Sequence, residues 1–207
     1  MVKRSYLLMG LAGPLLYGFT VLLGGWLWEE YDPTAQAISE LTAVGAPFKL
    51  PLDILFSLSL LLTAGFALAA WQLVRPFGSR LLKVGIGLIF VIAALSFLWA
   101  FFPMDPRGAE VTIPGIIHLV LAGIVSPLTI LCPILVGRGA GNITGLEGYS
   151  IYSHVSGLLI FAFGLLAAGS GGTYLGVYTR LTIGFYQLWI AVTALVFYLC
   201  WPRVLTK

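Results

Sequence analysis

Ser39, Glu40 and His118 bring together a hydroxyl, a carboxylate and an imidazole, the three residue types of a base-assisted nucleophile. Their setting weakens that reading. Ser39 stands in Ile38-Ser39-Glu40-Leu41 and lacks the Gly-x-Ser-x-Gly elbow that exposes a hydrolase serine. A Ser-Glu pair in a short helix serves capping and packing equally well. Asp53, Asp105 and Arg180 add charge from three further segments, so the six residues could line a polar pocket for a lipid headgroup or another small polar ligand. Metal chemistry has fewer supports. Tetrahedral zinc needs three or four His, Cys or carboxylate ligands at about 2.0–2.3 Å, and His118 and His154 are expected roughly 15 Å apart along the membrane normal at 1.5 Å per residue. A haem held by two histidines would need them at one depth. No metal and no cofactor is expected, although a metal-assisted hydrolase acting on a lipid stays open as an alternative.

The elements that would position these residues are apolar. Hydrophobic residues make up 59% of the 207 and charged residues 9%, against about a quarter charged in soluble domains. The mean hydropathy is +1.01. Six runs are long enough to cross a bilayer as helices, over about 5–28, 50–74, 79–102, 113–136, 149–168 and 177–201. They leave room for a single transmembrane domain over 1–207 and no separate soluble one. The expected fold class is therefore all-α, a polytopic membrane helix bundle. Between the first two runs, Asp32 can cap a helix that Pro33 begins and that Gly45 and Pro47 end, so a short interfacial helix is predicted from about Pro33 to Ala43. The first run follows Lys3 and Arg4 but lacks a small-residue cleavage site, so it reads as a retained span.

Charge sets the orientation. With the N-terminus inside, Lys3, Arg4, Arg75, Arg80, Lys83, Arg138, Arg203 and Lys207 share the inner side, and Lys49, Arg107 and Arg180 the outer. The excess of Lys and Arg on one side predicts a multi-pass cell-membrane protein with both termini cytoplasmic. The net charge of +3 thus reads as a topology signal, and with no basic stripe or phosphate loop a nucleic-acid partner is not expected. Ser39, Glu40, Asp53, Asp105 and Arg180 fall on the outer side, with His118 about 8 Å below it. Gly10, Pro14 and Gly18 on the first span, and Ser153 and Gly157 on the fifth, read as helix-packing faces. His154 reads as a donor to a serine of a neighbouring helix, and Cys132 and Cys200 as buried free thiols.

Tyr31-Asp32-Pro33, Ile38-Ser39-Glu40-Leu41, Ala46-Pro47, Phe102-Pro103-Met104-Asp105 and His118 together resemble the bacterial and archaeal membrane family called domain of unknown function 998. The resemblance spans essentially the whole chain. It implies a compact helical membrane protein with a polar signature of Ser39, Glu40, Asp105 and His118, and it implies no activity. Multispan lipid hydrolases are similar in using Ser, Asp and His, but this chain has no later pair of histidines. The leading expectation is thus an outward pocket for a lipid headgroup or small polar molecule. A small transporter is a further alternative, with only Ser96, Ser126 and Pro127 near mid-depth, and so is a structural subunit; the oligomeric state is not written in the sequence.

Overall fold

The computed structural model describes residues 3–76 and 78–204, without the side chains of 200–204. The Cys200 thiol, the Arg203 side chain and Lys207 therefore lie outside what is described. Six helices are long and apolar enough to span a membrane: α1 (Met9–Leu27), α2 (Lys49–Val74), α3 (Arg80–Phe97), α4 (Ile113–Ala140), α5 (Glu147–Gly169) and α6 (Leu175–Val204). Helices are the expected outcome for such runs, because lipid offers no partner for a backbone N–H or C=O. Hydroxyls follow the same rule: Thr20 donates to the Leu16 carbonyl at 2.7 Å and Thr63 to the Ser59 carbonyl at 3.0 Å.

Each helix packs against its neighbour in the chain, and α6 returns to α1 to close the ring. Trp189, Ile190, Phe66, Ile86, Ile89 and Ile160 fill the middle. Arg4 donates from Nε to the Tyr198 carbonyl at 2.8 Å and lies over the Tyr198 ring, so the first and last spans meet at the same end.

Close approach depends on small residues. A Cβ on Gly10 would lie 2.6 Å from the Phe66 ring and one on Gly13 2.6 Å from Thr63 Oγ1, whereas Gly18 has nothing within 4 Å. The packing face of α1 thus runs through Gly10, Gly13 and Pro14 rather than Gly10, Pro14 and Gly18. Gly157 packs on Ile134, and Ser153 accepts from Trp189 Nε1 at 3.0 Å. α4 extends through Gly137 and Gly139 to Ala140, beyond the Val136 end expected from apolarity, because those glycines let it pack on His154 and on the Leu82 backbone. His154 Nδ1 bonds the Ser150 carbonyl of its own helix at 2.7 Å, which replaces the interhelical serine contact expected of it. Cys132 is buried and donates to the Gly85 carbonyl at 3.1 Å.

Candidate functional site

The polar residues gather at the end of the bundle away from the termini, where the α1–α2 connection (residues 28–48) meets the α3–α4 connection. The predicted helix over Pro33 to Ala43 is replaced there by turns and the five-residue 3-10 segment Ile38–Thr42. Asp32 Oδ1 accepts the Thr34 N–H at 2.8 Å, an Asx turn. In a helix the Ala37 N–H would donate to the Pro33 carbonyl. Instead Ala37 N–H donates to Glu40 Oε1 at 2.8 Å, and Arg180 Nη1 lies 2.8 Å from the Pro33 carbonyl.

Arg180 comes from α6 and organises the near side of this loop. Its Nη1 is also 2.9 Å from the carbonyls of Gln36 and Gly176, and its Nη2 donates to the Tyr31 hydroxyl. That hydroxyl donates in turn toward Ala37 O at 2.8 Å and Gln36 O at 3.2 Å. Burial pushes the Tyr31 hydroxyl above its ordinary pKa, against the opposing pull of Arg180. Gly176 is where the loop rests on α6, for a Cβ there would lie 2.4 Å from Pro33 O, 2.5 Å from Gln36 O and 2.8 Å from Thr34 O.

Arg107, from the α3–α4 connection, holds the far side. Its Nε and Nη2 each donate to Glu40 at 2.8 Å, a bidentate pair, and Nη2 also reaches the Ala35 carbonyl at 2.6 Å. The Glu40 side chain is 6% exposed and that of Arg107 46%. Hydrogen bonding to Glu40 raises the Arg107 pKa above its ordinary value. Gln36 Nε2 adds a donor to Glu40 at 3.3 Å. The two connections are further joined by Val44 N–H to Met104 O at 2.9 Å, next to a left-handed turn at Gly45 (φ +80°), and by Ser39 Oγ to Met104 Sδ at 3.3 Å.

Asp105 and His118 brace the α3–α4 connection through separate contacts. The Asp105 carboxylate accepts the Thr112 N–H at 2.9 Å and the Thr112 hydroxyl at 2.7 Å, and these bonds hold its pKa below the usual carboxylate range. It lies against Gly115, where a Cβ would meet Oδ2 at 1.9 Å. The buried His118 bonds the Phe102 carbonyl through Nδ1 at 2.9 Å and packs on Trp99, with ring centroids 5.6 Å apart. Asp53 stands apart, paired with Lys49 on α2.

A recess of about 410 Å³ opens between the two connections, bordered by Trp28, Gln36, Glu40, Val44, Pro106 and Arg107. Of the six predicted ligand residues, Glu40 alone lines it. Ser39, Asp105 and His118 support its walls, and Arg180 anchors the loop from behind. Arg107 and Tyr31 were not among those six; the signal for Arg107 was its place as the single basic residue of an otherwise acidic connection. Ser39 is directed at Met104, Glu40 at Arg107 and His118 at Phe102, so the three do not form a nucleophile relay. Among the described residues, no three or more His, Cys, Asp or Glu side chains come together as a metal site.

Six apolar helices in a ring, with charged side chains knitting two connections at one end, define a multi-pass helical membrane protein. The chain belongs to the family described as protein of unknown function DUF998, whose profile matches residues 11–196, a range that takes in every motif of the polar network. Comparison with curated proteins and with solved structures finds no match.

Proposed function

We propose that the recess binds the headgroup of a membrane lipid, or a small polar molecule of the same chemistry, through an anionic oxygen directed at Arg107. The observation behind this reading is the division of labour within one guanidinium. Nε and Nη2 are committed to Glu40 and Ala35, while Nη1 has no hydrogen-bond partner among the described residues and the side chain remains 46% exposed. Glu40 fixes the plane of the guanidinium and leaves Nη1 for a ligand at the border of the recess. Trp28 borders the same opening, as expected of an aromatic at headgroup level. The recess faces outward and both termini face the cytoplasm of a cell-membrane protein; the basic residues at the terminus-bearing end support this orientation.

The test is lipid retained through purification, read by native mass spectrometry. Arg107→Gln is expected to lower retention about tenfold, the scale of one charge-assisted hydrogen bond. Lys3→Gln, an exposed residue at the opposite end of the bundle, is expected to leave it unchanged. Equal retention in wild type and Arg107→Gln would overturn the proposal.

A further inference from the structure

The opposite end of the bundle carries charge in a different arrangement. Gly139, one residue before the end of α4, lies so close to α3 that a Cβ would be 2.4 Å from Leu82 N and 2.6 Å from Leu82 Cα. The last turn of α4 therefore rests on the first turn of α3, whose Ser79 cap accepts the Leu82 N–H at 3.3 Å. The chain enters that turn directly from the end of α2, where Gly78 N–H donates to Val74 O at 2.6 Å. Arg75 in the α2–α3 turn, Arg80 and Lys83 in the first turn of α3 and Arg138 in the last turn of α4 thereby lie around one corner of the bundle.

Its cations have no ion-pair partner among the described residues. Glu147, the acid of that end, directs both carboxylate oxygens to the Gly145 N–H at 3.0 Å. Arg75, Arg80 and Arg138 are exposed and Lys83 is half-buried. The surface between and below these cations is apolar: Leu81 and Val84 on α3 are 40% and 44% exposed, and Trp71, 36% exposed, lies beside Gly87, 3.6 Å from where a Cβ would stand.

Cations at the rim, with open aliphatic surface and an indole on its apolar side, match the headgroup and chains of an anionic phospholipid. We propose that this corner seats one such lipid, its phosphate among Arg75, Arg80, Lys83 and Arg138 and its chains along Leu81 and Val84. The site is independent of the recess at the other end. A zwitterionic phospholipid presents the same phosphate with its own compensating cation, so the unneutralised corner selects by net charge.

The experiment offers phosphatidylglycerol and phosphatidylcholine in equal amounts to the purified full-length protein in neutral detergent and counts bound lipids by native mass spectrometry. Wild type is expected to favour phosphatidylglycerol about tenfold or more, since each basic residue near the headgroup contributes about fivefold. That preference should shrink several-fold in about 0.5 M salt, where the screening length falls below about 5 Å. Arg80→Gln combined with Arg138→Gln should remove most of it, while Arg80→Lys combined with Arg138→Lys should keep it. Should the glutamine pair fail to fold, the wild-type salt series and the lysine pair still decide. Equal uptake of the two lipids by wild type, or a preference untouched by salt, overturns the proposal. So does a preference lost in Arg107→Gln but kept in the glutamine pair, which would place the lipid in the recess.

Discussion

Removing Arg107 and removing Glu40 should have unequal costs, although they are partners in one ion pair. Arg107→Gln leaves a carboxylate that is 6% exposed and retains only Ala37 N–H and Gln36 as donors. Glu40→Gln leaves a guanidinium that is 46% exposed and can turn to water, and the new amide oxygen can still accept from Ala37. Breaking a fully buried pair costs about 3–5 kcal/mol, and an exposed pair contributes about 0–1 kcal/mol. With one partner buried and the other half-exposed, about 2 kcal/mol is expected for Arg107→Gln and about 1 kcal/mol for Glu40→Gln. The double variant should lose about 1 kcal/mol less than the sum of the two, because neither leaves the other unpaired. Reversible unfolding in mixed micelles with all four proteins measures this directly. Additive losses, or a larger loss for Glu40→Gln than for Arg107→Gln, would refute the view that the pair is clamped from the carboxylate side.

Three further outcomes follow from other contacts. Gly176→Ala should lift residues 33–36 off α6, since its Cβ would stand 2.4–2.8 Å from three carbonyl oxygens; increased proteolysis within residues 32–37 and a loss of about 1–3 kcal/mol, the usual scale of overpacking, would show it. The Asp105 carboxyl has a lowered pKa, so its contribution is present above the ordinary Asp value near 4 and disappears as pH falls through its folded value. Wild type should therefore lose stability relative to Asp105→Asn as the pH falls below about 4, and parallel curves in that window would contradict the Thr112 contacts. Tyr186 is buried with a hydroxyl that has no partner among the described residues, so Tyr186→Phe should leave thermal stability unchanged or raise it by up to about 2 kcal/mol; a fall of more than about 1 kcal/mol would show that the hydroxyl is bonded.

The six spans were legible because each is a long apolar run bounded by charge or by glycine and proline, and lipid permits such a run little but helix. The connection after α1 was not legible in the same way. Asp32, Pro33 and Gly45 are good helix punctuation, and local propensity alone favours a helix between them. Arg180, 147 residues after Pro33, and the Tyr31 hydroxyl bind the carbonyls that such a helix would use, and Glu40 binds one of its N–H groups. Position along the chain could assign Ser39, Glu40, Asp105, His118 and Arg180 to one end. It could not show that Arg107, 67 residues from Glu40, would fix the carboxylate, because bidentate pairing depends on how two connections fold over one another. The end of α4 was misjudged for a related reason: Gly137 and Gly139 weaken an isolated helix, yet in the bundle they allow the contact that stabilises it.

The ring order of the helices has a consequence for biosynthesis. As the chain leaves the ribosome, α2 through α5 can each dock on the span made just before, so assembly proceeds by successive hairpins with short loop closures. Only α6 must find a partner made long before it. It also brings Arg180, Gly176 and Trp189, so the connection after α1 has neither its clamp nor its seat until the final span is inserted. A nascent chain released before α6 would hold five spans with an unfinished mouth and an open seam on α1, a form that membrane quality-control proteases could distinguish from the completed protein.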